Sequence, residues 1–413
     1  MTFFGIVWSL VIVFSFVKWN INGAVGLTLF SMILQCDKVL NVGVLVGPQL
    51  FTSFVFLFYS LLYTSKSSTS LLFRTVSVFF SLVLAYIIVP KIINYQFDKP
   101  FLVSLQLLIY LLCGIRMYML RNLIGSYKAF KSVIFVMWFI AIFGPIQLLA
   151  THGILPRSIL IPIFFNDGDP YDYFLHPEYY KRLLGTFKEP SFCSTFLVGA
   201  MYYVLLMKHY LKQWKVLFSL LGIDLILTMS STGYGSFFIV GVIYLFYKRK
   251  FKIQHLLLIL SVCVVFYYLA KDTILDEVIF SKMESDSAKE RGAWNDNALY
   301  MFNHNKIFGI GFQQSRASSF FYTLLAELGI IGTTLYLLYY MALLYPLLMK
   351  KLKANVLLIA ASFFLLGVIV SQMIACPDYQ ICTFWFGFYI YSLSIPYKQK
   401  NENINRFNST LCS

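Results

Sequence analysis

The feature that most constrains this chain is the recurrence, from one end to the other, of apolar runs with no long polar block between them. Runs of about 20 residues suit helices that cross a bilayer, because a helix satisfies its own backbone hydrogen bonds where lipid offers none. The composition agrees, with 59% of the 413 residues hydrophobic and 12% charged, roughly half the charged share of an ordinary globular domain. The expected fold class is all-α, a polytopic integral membrane protein of about 12 to 13 transmembrane helices in a single transmembrane domain over residues 1–413. Spans are expected near 3–18, 21–35, 42–63, 71–90, 101–120, 130–150, 190–207, 214–230, 233–247, 254–270, 320–348, 354–373 and 380–396. The first run has neither a basic segment before it nor a small-x-small cleavage site after it, so it reads as a retained helix.

A formal charge of +15 would invite a nucleic-acid reading in a soluble protein. Its distribution points to topology instead, and no nucleic-acid partner is expected. Lys and Arg cluster in "RNLIGSYKAFK" from Arg121, "KHYLKQWK" from Lys208, "KRKFK" from Lys248, "KKLK" from Lys350 and the tail "KQKNENINR". The positive-inside rule puts these in the cytoplasm, the C-terminus with them. In strict alternation, residues 151–189, the turn "SSTGYG" at Ser230, residues 271–319 and "CPDY" face outward. Two of these connections are long outer loops, and such loops in helical bundles are usually functional. The seven cysteines lie mostly inside apolar runs without metal-ligand spacing. Only Cys376 and Cys382 are placed to pair, on an oxidising outer face. No metal or cofactor is called for.

In "KRLLGTFKEPSFCSTF", beginning at Lys181, the charges of Lys181, Arg182, Lys188 and Glu189 stand at the mouth of an apolar helix. Glu189 and Pro190 are ordinary helix-start chemistry. Arg182, seven residues earlier, needs an anion near hydrocarbon, and phosphate matches its planar fork. An anionic, lipid-linked substrate would meet these groups. Arg291 stands in "SDSAKERGAWNDN", which reads either as a solvated loop or as a phosphate contact, and Arg316 before the next helix is a similar candidate. Asp167 and Asp169 in "DGDPYDY" form a D-x-D that reads better as a turn than as a metal site. Asp224 is an ionisable group within an expected span, either functional, neutral or bonded to a neighbouring helix. His304 suits proton transfer or plain surface chemistry, and Tyr234 is placed to stack on sugar rings.

"RLLGTFKEPS" resembles the R-x-x-G-x-x-x-E-P-S signature of O-antigen polymerases of the Wzy type, within the O-antigen polymerase and ligase superfamily. "LTMSSTGYG" is similar to that family's S-R-T-G turn, with Ser231 where Arg is usual. "RGAWNDNALYMFNHNKIFGIG" resembles its Arg- and Trp-bearing segment and F-G-I-G turn, and "LLAELGIIGTTLYLL" its E-x-G-x-x-G helix. Arg157 and Gly168 fit an R-x10-G spacing seen in some members, a spacing that chance explains equally well. Ser318 and Ser319 stand where ligase-type members carry His-Asn, which favours a polymerase.

The resemblance implies a glycosyltransferase of the bacterial inner membrane, acting at the periplasmic face on undecaprenyl-diphosphate-linked oligosaccharide repeat units. Its partners would be membrane lipid and a polysaccharide chain-length regulator. Arg182 and Arg291 would stabilise the departing diphosphate and Glu189 would act as general base. Arg157, Lys188, Ser230, Tyr234, His304 and Arg316 would contact substrate. A lipid-linked oligosaccharide flippase and an O-antigen ligase are the alternatives. A flippase would place its site at the bilayer midplane between internal repeats, and no convincing repeat is present.

Overall fold

The computed structural model describes residues 3–41, 45–64, 70–93, 99–164, 182–248, 286–349 and 355–396. The span expected at 254–270, together with Lys181, Asp167, Gly168 and Asp169, lies outside the described residues.

Among the described residues there are thirteen helices: α1 (Phe3–Ser31), α2 (Pro48–Ser60), α3 (Leu71–Ile93), α4 (Lys99–Ile124), α5 (Ser126–Thr151), α6 (Arg157–Phe164), α7 (Pro190–Leu206), α8 (Trp214–Leu227), α9 (Ser231–Tyr247), α10 (Asp286–His304), α11 (Phe320–Leu348), α12 (Val356–Ala375) and α13 (Cys382–Ser394). Residues 40–41 pair antiparallel with 45–46 in a minimal hairpin between α1 and α2. Five helices, α3, α4, α5, α11 and α12, are long and apolar enough to cross a membrane, and parts or all of α1, α7 and α9 are shorter apolar helices. The two expected spans at 3–18 and 21–35 are the two helical segments of α1, which meet at a kink at Asn20 (φ 55°), the second ending at Ser31. Residues 271–319, expected as a loop, carry the polar helix α10, and residues 151–189 carry α6.

The centre of the bundle is α12, which packs against α7, α9, α11 and α13. Lipid tails are as apolar as Leu, so close fit rather than hydrophobic burial selects such contacts. A Cβ on Gly199 of α7 would lie 3.0 Å from the carbonyl oxygen of Phe364, and one on Gly367 of α12 would lie 3.1 Å from the Gly199 amide nitrogen. The two backbones therefore cross almost in contact. The N-terminal helices join the same body, α3 packing on α11, α4 on α13 and α5 on α8. Trp385 anchors this junction, its ring centroid 5.3 Å from those of both Phe80 and Tyr110. Large apolar side chains such as Val13, Ile93, Ile226 and Met341 are exposed on the outside of the bundle, as a lipid-facing surface requires.

Chain direction puts the starts of α7, α9, α11 and α13 at one end of the bundle, with the ends of α8 and α12. Hydrogen bonds tie this end together: Leu183 N donates to Leu227 O at 2.9 Å, and Ser319 Oγ donates to Met373 O at 2.8 Å. The opposite end carries Lys128, Lys131, Lys208, Lys212, Lys215 and Lys248.

Candidate functional site

Residues 182–187 enter the bundle without regular structure, so their polar groups must find partners inside it. Arg182 Nε donates to Thr228 O at 3.0 Å, at the end of α8. The amides of Leu184 and Gly185 both donate to the side-chain oxygen of Gln147 on α5, at 3.0 and 3.1 Å. Thr186 donates through its hydroxyl to Ile33 O at 2.6 Å and accepts from Gln35 N at 3.0 Å. Gly185 turns the chain at φ +58°. Leu183, Leu184 and Phe187 are fully buried. The "RLLGTF" part of the motif is thus a plug that fixes where the next two residues emerge. Lys188 is exposed and Glu189 half-buried at the first turn of α7, where Ser191 Oγ donates to the Glu189 carboxylate at 3.0 Å.

Opposite them lies the turn between α12 and α13. Asp378 Oδ1 accepts from Gln380 N at 2.8 Å, and Gln372 Nε2 donates to Asp378 O at 3.2 Å. Burial pushes the Asp378 carboxyl above the ordinary range; the Gln380 amide and the cations of Lys188 and Arg316 pull it down, and Glu189 pushes it up. These influences place Lys188, Glu189, Arg316 and Asp378 in one electrostatic neighbourhood. Cys376 beside them is pushed up to about 12, chiefly by burial, and lies 3.7 Å from Thr195 Oγ1. Cys376 and Cys382 are free thiols, so the pairing considered from sequence is not formed.

Arg316 is held over the Trp294 ring of α10, 4.9 Å from its centroid. Asn295 Oδ1 accepts from both the amide and the hydroxyl of Ser318 at 3.0 Å, docking α10 against the start of α11. Arg291 is exposed one turn before Trp294 on the same stripe of α10. Arg316 thus lies within electrostatic reach of Asp378, and Arg291 is exposed on α10.

A backbone crossing supports Arg316 from beneath. α11 breaks at Gly329 (φ 61°), and the "FGIG" loop fills the break. Ile310 N donates to Ala326 O at 2.9 Å, Gly311 N to Glu327 O at 3.0 Å and Ile330 N to Lys306 O at 2.8 Å. A Cβ on either Gly309 (φ 72°) or Gly329 would come within 2.6 Å of the other's amide nitrogen. Tyr86 of α3 donates to Phe308 O and Leu328 O at 3.0 and 3.1 Å, and Gly332 leaves room for its ring. Glu327 is buried with Oε1 accepting from Ser315 N at 3.3 Å, one residue before Arg316.

The other sequence candidates fall into place differently. Ser230 caps α9, accepting from Gly233 N at 3.4 Å and from Ser194 Oγ at 3.1 Å, which places it one turn of α7 below Ser191. Tyr234 donates to Ile226 O at 2.7 Å within electrostatic reach of Arg182. Arg157 closes the end of α5, its Nε and Nη2 donating to Ala150 O and Thr151 O at 3.0 and 2.7 Å. His304 is exposed at the far end of α10, its Nδ1 2.9 Å from Tyr300 O of the same helix. Asp224 of α8 is buried, and neither carboxylate oxygen has a hydrogen-bond partner among the described residues. Asp378, Trp294, Asn295 and Gln147 had not been singled out from sequence. The sequence offers "CPDY" as an outward turn bearing a cysteine, and the Trp as part of a motif.

Residues 216–337, running from α8 through the break in α11, match the family model described as O-antigen ligase. The match supports a place for the chain in the O-antigen polymerase and ligase superfamily, a group of membrane enzymes for which a lipid-linked glycan is the implied substrate. The plug and Glu189 lie before the matched segment. No curated protein matches the chain.

Proposed function

We propose that this protein is a glycosyltransferase that polymerises undecaprenyl-diphosphate-linked repeat units into O-antigen or a related surface polysaccharide at the periplasmic face of the inner membrane. The observation that carries this reading is that Lys188, Glu189 and Arg316 all lie within electrostatic reach of Asp378, at the end of the bundle that also holds the plug. The lysines at the opposite end favour the cytoplasm for that side.

In the proposed reaction, a hydroxyl of the acceptor unit attacks the anomeric carbon of the donor glycan. The bond from that carbon to the diphosphate oxygen breaks, its electron pair leaves with the lipid diphosphate, and the hydroxyl proton passes to Glu189. Lys188 and Arg316 face the departing diphosphate, with Arg182 and Arg291 flanking, in a partly dehydrated site where fixed cations act strongly. Ser191 Oγ donates to the Glu189 carboxylate and so orients it.

Complementation of a polymerase-null strain tests the assignment. Glu189→Gln is expected to lower the rate of transfer by about 10² to 10⁴-fold, and Arg182→Ala and Arg316→Ala to shift the product toward single units. An unchanged chain-length distribution in all three would overturn it. The family description favours a second reading, an O-antigen ligase. The two part on the product of a deletion: a missing polymerase leaves lipid A core capped with one unit, whereas a missing ligase leaves core uncapped and polymer on the carrier. A missing flippase would instead strand single units on the cytoplasmic side.

A further inference from the structure

At the end of the bundle away from the candidate site, α7, α9 and α12 part around a cavity of about 260 Å³. Its floor is apolar, from Leu206 and Ile359, its walls include Tyr210 and Tyr247, and its rim carries His209 and Lys248. Lys248 Nζ lies 5.9 and 5.8 Å from the ring centroids of Tyr244 and Tyr247, so the ammonium stays at the aromatic edge of the cavity. A lysine at the end of α9 suits the helix dipole, but the dipole calls for neither an apolar floor nor an imidazole lining the same cavity. Lys208 and Lys212 on the adjoining connection and Lys215 in the first turn of α8 add to the positive field. Beside the rim, Ile239, Ile243 and Phe246 run exposed along α9.

We propose that this cavity binds the headgroup of an anionic phospholipid. The phosphate would sit between Lys248 and His209, the glycerol would enter between Tyr210 and Tyr247, and the acyl chains would follow the apolar stripe of α9. Basic pockets between helices at a membrane surface take anionic headgroups in this way, and each cation near such a surface is worth about fivefold in binding. The inference is independent of the glycan-polymerising reading, since it concerns the other end of the bundle and a lipid that is not consumed.

The test is native mass spectrometry of the full chain in neutral detergent. The probes are phosphatidylglycerol and phosphatidylethanolamine with identical acyl chains, and glycerol 1-phosphate as the headgroup without chains. Phosphatidylglycerol is expected to be retained over phosphatidylethanolamine. Lys248→Ala should lower that retention about fivefold, Lys248→Arg should restore it, and Lys131→Ala, at the same end but outside the cavity, should leave it unchanged. Equal retention of the two lipids overturns the proposal. So does an equal loss from Lys131→Ala, which would mean diffuse charge, and so does displacement by glycerol 1-phosphate at equal concentration, which would mean a site for free phosphate. Should Lys248→Ala fail to fold, the comparison of the two lipids on the unaltered chain decides.

Discussion

Asp378 sits where burial and charge pull its carboxyl in opposite directions, and burial prevails. A carboxyl raised in the folded state contributes fully to stability below the unfolded value of about 4. Between that value and the folded one, the unfolded chain releases the proton more readily, so the contribution is lost as pH rises. Wild-type protein should therefore lose thermal stability relative to Asp378→Asn as the pH is raised from about 4 toward neutrality, read as melting temperature in detergent. A flat or opposite difference would show that the cations of Lys188 and Arg316 outweigh burial. At this scale the sequence revealed charges more readily than their uses. Lys188 and Glu189 stand out because charges are rare in so apolar a chain. The part played by Asp378 depends on the α12–α13 turn meeting the start of α7, a long-range contact that no local pattern announces. Arg157 and Arg182 expose the converse difficulty, since a guanidinium serves a helix's last carbonyls as well as it serves a phosphate.

The break in α11 is an element built from two glycines, a tyrosine from a distant helix and a buried glutamate. Alanine at Gly329 would carry a Cβ into the Gly309 amide at 2.6 Å and hold a positive φ that costs roughly 1–2 kcal/mol in itself. Gly329→Ala is expected to lower the melting temperature by several degrees and to abolish transfer. Tyr86→Phe removes the one hydroxyl that the Phe308 and Leu328 carbonyls share in a partly exposed bond, a cost of about 0.5–1.5 kcal/mol. It should reduce transfer while the protein still folds, with the greater loss in the affinity for lipid-linked substrate, because Arg316 stands on the loop that Tyr86 ties down. Wild-type activity in Tyr86→Phe would show that the loop holds without it. The motifs "FGIG" and "ELGIIG" were legible as glycine punctuation, and their partnership was not, because neither reveals which backbone it crosses. Helix positions were readable from hydropathy. The first two runs remain separate helical segments on either side of the kink at Asn20.

The whole molecule separates two ends of different character, one with the acid and base cluster and one rimmed by lysines. If the lysine-rich end is cytoplasmic, Lys131→Cys in a background without native cysteines should resist a membrane-impermeant thiol reagent added to spheroplasts, and Ser231→Cys should react. The reverse pattern would invert the topology and remove the periplasmic assignment. Alternation of basic and polar connections made this polarity readable along the chain. The helical composition of 271–319 was not readable from hydropathy, because the exposed α10 is polar along most of its length.

The plug at 182–187 makes its hydrogen bonds to the turn after α1, to α5 and to the end of α8 at once. Exchanging the first 150 residues for those of a relative, as a cassette, would replace Gln147 and the end of α1 together. Such chimeras should work only where the donor supplies an amide oxygen at that position. Swaps of the C-terminal helices alone escape this requirement, so the freedom to recombine such proteins should be lopsided along the chain.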